Sequence, residues 1–149
     1  MIRFLLFFLV TPLFGQIQID KAGDGWDLKI DSALSLIKKV DPEKYNFLDT
    51  TCSQVSFWIS KFSSCEFESG KGRIYVSTKE FKLNSINNLA CVLVHESLHL
   101  YFLKNKILLD AKQEENYCYR YELELANKLP NPEPWLKNHI LRQIENTQK

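Results

Sequence analysis

The chain is short of several things, and each shortage closes a class of function. It has no excess of either charge: 19 Lys and Arg stand against 18 Asp and Glu, for a net charge of +1, with the signs mixed along the sequence. That leaves no electrostatic case for a nucleic acid or an anionic membrane as partner. No apolar run reaches the ~20 residues that a spanning helix needs. Repeats, low-complexity tracts and Ser/Gly linkers are missing, so Gln16 to Lys149 reads as one domain with one core. Four cysteines are present, but none is spaced as C-x-x-C, which argues against a cysteine-based zinc site. Aromatics are plentiful, with 10 Phe, 6 Tyr and 3 Trp, as expected of a compact globular chain.

The informative stretch is Leu89 to Leu103, which contains the pattern H-E-x-x-H. Residues four apart share a helix face, so His95 and His99 present two imidazoles to one ion, with Glu96 beside them. The rest of the stretch is apolar on nearly every side, which marks a helix buried within a domain. Two imidazoles and a carboxylate in such surroundings are costly unless partnered. A metal partners all three. The plain alternative is a chance match in which both histidines are hydrogen-bonded core residues.

On these residues the chain resembles the zincin metallopeptidases. In the metzincin branch the pattern continues with a glycine and a third histidine; those positions are Phe102 and Asn105, which excludes it. In the gluzincin branch the third ligand is a glutamate on a following helix, commonly with a small residue three positions later. Glu115 with Cys118 matches, and the run E-x-x-C-x-x-x-E-x-x-x-A-x-x-L-P from Glu115 to Pro130 is similar to the second helix of small exported bacterial H-E-x-x-H proteins. The resemblance covers about Ile74 to Pro130.

It implies a minimal zincin-like α+β domain, a small sheet packed on the H-E-x-x-H helix and on a second, ligand-bearing helix. It also implies Zn2+ held by His95, His99 and Glu115, and a peptide or protein substrate. Glu96 would be the general base, taking the proton of an activated water and passing it to the leaving amine. By the helical wheel alone, Glu114 and Glu115 flank the apolar arc set by Cys118, Tyr121, Leu125 and Leu129, and Glu122 lies inside it. Asp110 precedes the helix, so all four acids stay open as third ligand on that ground. With Glu115 as ligand, Glu122 becomes a partner for a ring N–H of His95 or His99. Tyr101 and Tyr119 are candidate further donors, or else core aromatics. The competing function is an exported zinc-binding or interaction module that turns over nothing. Glu96 argues against it, since binding alone needs no base.

Met1 to Phe14 has the layout of a secretion signal: Arg3, the apolar run Phe4 to Val10, then Gly15, with cleavage expected between Gly15 and Gln16. An uncleaved anchor or a first strand is the alternative. The chain is therefore expected to be exported, to the periplasm or beyond. Asp31-Ser32 is expected to cap a helix carrying Ala33, Leu34, Ile37 and Val40, ended by Asp41-Pro42. Val55, Phe57 and Ile59 alternate as in a strand, Gly70-Lys71-Gly72 signals a turn, and Arg73 to Ser77 reads as the next strand. The zincin resemblance makes that last strand the expected edge of the substrate cleft, where an extended peptide can add.

Asn84-Ser85 is expected to cap the central helix, which runs to about Lys104; a second helix spans Ala111 to about Leu129. Pro130, Pro132 and Pro134 enforce an extended segment. A last helix from Trp135 to Ile144 then clamps onto the body through Trp135, Leu136, Ile140, Leu141 and Ile144. His139 reads as a surface or packing residue. In an exported chain the cysteines suggest disulfides: Cys52 with Cys65, and Cys91 with Cys118 tying the two site helices, unless Cys118 is a buried thiol.

Overall fold

A computed structural model describes residues 17–21, 25–79 and 85–149; the expected secretion signal lies outside them. The chain is α+β. Its elements are β1 (Gln18–Ile19), α1 (Trp26–Val40), α2 (Pro42–Thr51), β2 (Gln54–Trp58), β3 (Ser64–Glu68), β4 (Lys71–Ser77), α3 (Ile86–Asn105), α4 (Ala111–Lys128) and α5 (Pro134–Thr147). Among the described residues no helix is long and apolar enough to cross a membrane.

The sheet has the order β1-β2-β4-β3, with β4 parallel to β2 and antiparallel to β3. The β3–β4 hairpin turns through Ser69 and Gly70, at φ 51° and 78°. Two successive positive φ values define the tight turn whose twist suits paired strands. The hairpin corrects one expectation. Arg73 to Ser77 lies in β4, which is paired on both sides, and β3 is the edge strand beside it. β3 is hard to see in sequence because Ser64-Cys65-Glu66-Phe67-Glu68 is half-buried along most of its length. Ile59 falls outside β2 and is largely exposed. Gly72 has no room for a side chain: a Cβ there would stand 2.1 Å from the Thr51 carbonyl oxygen.

α1 begins at Trp26, not at Asp31, and Ser32 bonds back to the Leu28 carbonyl within the helix instead of capping it. The buried stripe Trp26, Ile30, Ala33, Leu34 and Ile37 explains the earlier start, since burial of a helix face outweighs one capping bond. Asp41 ends α1 as expected and caps α2, its side chain accepting from Lys44 N, with Pro42 in the first turn.

α3 crosses the core, with Leu89, Ala90, Cys91, Leu93, Val94 and Leu100 fully buried. Ser85 caps it by accepting from Asn88 N at 3.1 Å, and the Ser85 hydroxyl donates in turn to Glu133, just before α5. α4 is capped by Asp110, and α5 packs against α4 through buried Leu136, Ile140 and Ile144. Trp135 and Leu141, also expected to clamp, stay partly exposed. All four cysteines are free thiols, which corrects both expected disulfides and agrees with the alternative of Cys118 as a buried thiol. Their sulfurs serve different surroundings. Cys52 Sγ donates to the Gln54 carbonyl, Cys91 is sealed in the core, and Cys65 and Cys118 face the cleft chemistry described below.

Candidate metal centre

α3 and α4 are joined by a short link and run antiparallel, because His99 meets Glu114 while His95, one turn earlier, meets Glu122, two turns later. These contacts settle the imidazole tautomers. His95 Nδ1 lies 3.1 Å from Glu122 Oε2, and His99 Nδ1 lies 2.6 Å from Glu114 Oε1. Carboxylates only accept, so both Nδ1 atoms carry hydrogen. In the neutral rings both Nε2 atoms are then bare lone pairs, and they face one another at 3.2 Å. Glu115 closes the triangle, Oε2 3.4 Å from His95 Nε2 and Oε1 3.5 Å from His99 Nε2.

Those separations lie at the long end for hydrogen bonds. They fit a different role. Donors of one tetrahedral zinc, at bonds of about 2.0–2.2 Å, sit about 3.3–3.5 Å apart. Two facing lone pairs and a carboxylate need a positive charge between them, and the residues present fit a divalent metal. Without one, a proton takes its place. Burial would lower the His95 value, but hydrogen bonds to Glu115 and Glu122 outweigh it and raise it to about 10. The His95 hydrogen bond holds Glu115 below the usual carboxylate range.

Cys118 is a second candidate beside Glu115. One donor atom each from His95, His99 and Cys118 lie within 4.8 Å of one another. Glu115 approaches each histidine nitrogen at about the spacing of two zinc donors, but with a different oxygen for each, so one oxygen must shift before it serves an ion shared with both rings. Cys118 is the donor that joins both histidines with a single atom. Cys118 was legible on α4 as the residue one turn from both Glu114 and Glu122, but it reads from sequence as a spacer. Glu114 and Glu122 hold ring N–H groups, and Asp110 is occupied at the helix cap, accepting from Gln113 N at 3.0 Å.

The site opens into a cleft of about 620 Å³, a size suited to a small ligand or part of a peptide. Phe62, Ser63, Ser64 and Cys65 form the sheet side, while Gln143 and Thr147 of α5 contribute another wall. Glu96 is almost buried at the cleft wall, where burial raises its carboxyl above the usual range against the lowering pull of His95 and His99. The Cys65 thiol lines the cleft beside that carboxylate, a proximity with no sequence signal. Tyr119 packs edge-on against the His95 ring, with centroids 4.6 Å apart, and lines the cleft. Tyr101 packs on Phe47 instead and does not line it. His139 is outside the donor group, beside a small hollow it shares with Asn88 and Glu122.

Comparison with protein-family models, with curated proteins and with solved structures returns no match to this chain.

Proposed function

We propose that the protein is an exported, zinc-dependent metallopeptidase of zincin type, hydrolysing peptide bonds with Glu96 as general base. The observation that carries this reading is the donor triangle. Two Nε2 lone pairs face one another at 3.2 Å with one oxygen of the Glu115 carboxylate near each, and Glu96 is next to them in an open cleft. His95, His99 and Glu115 would hold the ion, and zinc when bound would supply Lewis acidity and water activation. Glu122 and Glu114 hold the two rings with Nε2 toward the ion position. The Glu96 carboxylate, raised by burial, accepts the proton of the attacking water and returns it to the leaving nitrogen.

The edge strand supports a peptide as substrate. β3 pairs only with β4 among the described residues, and its first residues line the cleft. An extended chain can add to such an edge by main-chain hydrogen bonds. Phe62 and Leu103, exposed at the cleft, offer apolar contact to its side chains. Export rests on the charged, apolar and small-residue layout of Met1 to Gly15.

The test is hydrolysis of casein or a peptide library by the zinc-loaded protein beside Glu96→Gln. Activity in the first and none in the second, at equal zinc content, is the expected result. Equal activity in both overturns the mechanism. A second reading, a zinc-binding module without turnover, is favoured by one observation. Cys118 lies within reach of the same ion position, and four protein donors make a closed site.

A further inference from the structure

We propose that the Cys118 thiolate is itself a ligand of the ion held by His95 and His99. The inference rests on reading those histidines as metal ligands and not on hydrolysis. Cys118 is 0% exposed, on the α4 face that meets the H-E-x-x-H helix. Its sulfur lies within 4.8 Å of a donor nitrogen on each histidine. Neighbouring nitrogen and sulfur donors of one tetrahedral zinc stand about 3.5 Å apart, so closing any pair requires no more than about 1.3 Å of movement.

The other thiols do not compete on the same terms. Cys52 is occupied with the Gln54 carbonyl, and Cys65 stands on the sheet side of the cleft beside Glu96, outside the donor group. Cys91 is sealed in the core and is not part of the donor group. Cys118 alone of the four thiols joins both histidines in one donor group. Ligation deprotonates it, the proton leaving to solvent as the metal binds.

Two consequences follow from the donor chemistry. A thiolate beside two imidazoles selects zinc, cobalt and copper over magnesium or calcium. Together with Glu115 it makes four protein donors, the number of a closed tetrahedral site. Glu115, with 42% of its side chain exposed, is then the donor free to leave when a substrate enters, while Cys118 holds the ion from the buried side.

Cobalt separates the possibilities, because a cobalt–thiolate bond adds an intense near-ultraviolet charge-transfer band to the weak visible bands of any tetrahedral cobalt site. The protein, its residues otherwise unchanged, is loaded with Co2+ beside Cys118→Ser and Cys65→Ser. The expected result is a charge-transfer band in the unchanged protein and in Cys65→Ser, lost in Cys118→Ser while the visible bands persist. Visible bands with no charge-transfer band in any of the three overturn the thiolate ligand and leave the histidine site standing. A band lost in Cys65→Ser and kept in Cys118→Ser overturns the assignment to Cys118. No Co2+ binding at all overturns this proposal and the metal-centre reading together. Should Cys118→Ser fail to fold, X-ray absorption on the unchanged zinc-loaded protein decides: one sulfur at about 2.3 Å supports the proposal, and nitrogen and oxygen alone overturn it.

Discussion

α4 carries two clusters of charged groups, and they differ in one respect. Toward α2, Lys44 pairs with Glu124 at 2.8 Å and sits over the Tyr121 ring, while Lys128 pairs with Asp41 at 2.8 Å. Each acid there has its cation. Toward α3, Glu114, Glu115 and Glu122 meet two imidazoles, with Glu96 close by and, among the described residues, no lysine or arginine in the contacts. The first cluster is complete in itself and stays structural. The second is short of positive charge, in a half-dry setting where a missing counter-charge is costly. That deficit is what a divalent ion would fill, and it separates a candidate site from an ordinary polar interface.

The comparison is most easily broken at the histidines. His95→Ala and His99→Ala are each expected to weaken zinc binding by more than about 100-fold in competition with a chelator, since each removes a donor rather than its support. Glu115→Ala should be the most damaging of the acid substitutions. If Glu114→Ala is worse, the donor triangle has been misassigned. Glu96→Gln comes next: hydrolysis falls by at least about 100-fold while zinc content holds, as read from turnover and metal analysis on one sample. Zinc lost along with activity would place Glu96 among the ligands instead.

Removing a support is a smaller change. Glu122→Gln and Glu114→Gln should each reduce zinc affinity by about 10–100-fold, because the carboxylate orients the ring and raises its basicity. Acidity sharpens the same contrast. The His95 value is raised in the folded protein, from 6.5 to about 10, so the protonated ring stabilises the metal-free fold below about pH 6.5. That stabilisation is lost as pH rises toward 10. The melting temperature of the metal-free protein should fall across that window and that of the zinc-loaded protein much less, since there the ion has replaced the proton. The smallest effect belongs to the balanced cluster. Lys44→Met should leave zinc affinity unchanged and shift stability by no more than about 1 kcal/mol, because Glu124 is 66% exposed and water replaces its partner.

Local signals were read well where one helix supplies the whole pattern. The Ser85 cap, the apolar girdle of α3 and the joint presentation of His95, Glu96 and His99 all follow from spacing along a single helix. The boundary at Asp41-Pro42 is equally local, since proline and a capping carboxylate act on adjacent backbone. The start of α1 was misjudged because burial of Trp26 and Ile30 is a tertiary gain that Asp31-Ser32 does not reveal. The disulfides were misjudged for a related reason: a cysteine's partner depends on where its sulfur points after packing, and sequence spacing is silent on that.

What the sequence by itself determined is therefore the histidine pair, its neighbouring glutamate and the succession of long helices, each encoded by periodicity within one element. What only the tertiary structure decided is the assignment of the α4 acids and the sheet edge. Glu114, Glu115 and Glu122 differ in which histidine atom each reaches, and that follows from how α4 packs against α3 and α5. β3 became the edge because a turn at Ser69-Gly70 folded it back onto β4, a pairing between strands that neither strand's own pattern specifies.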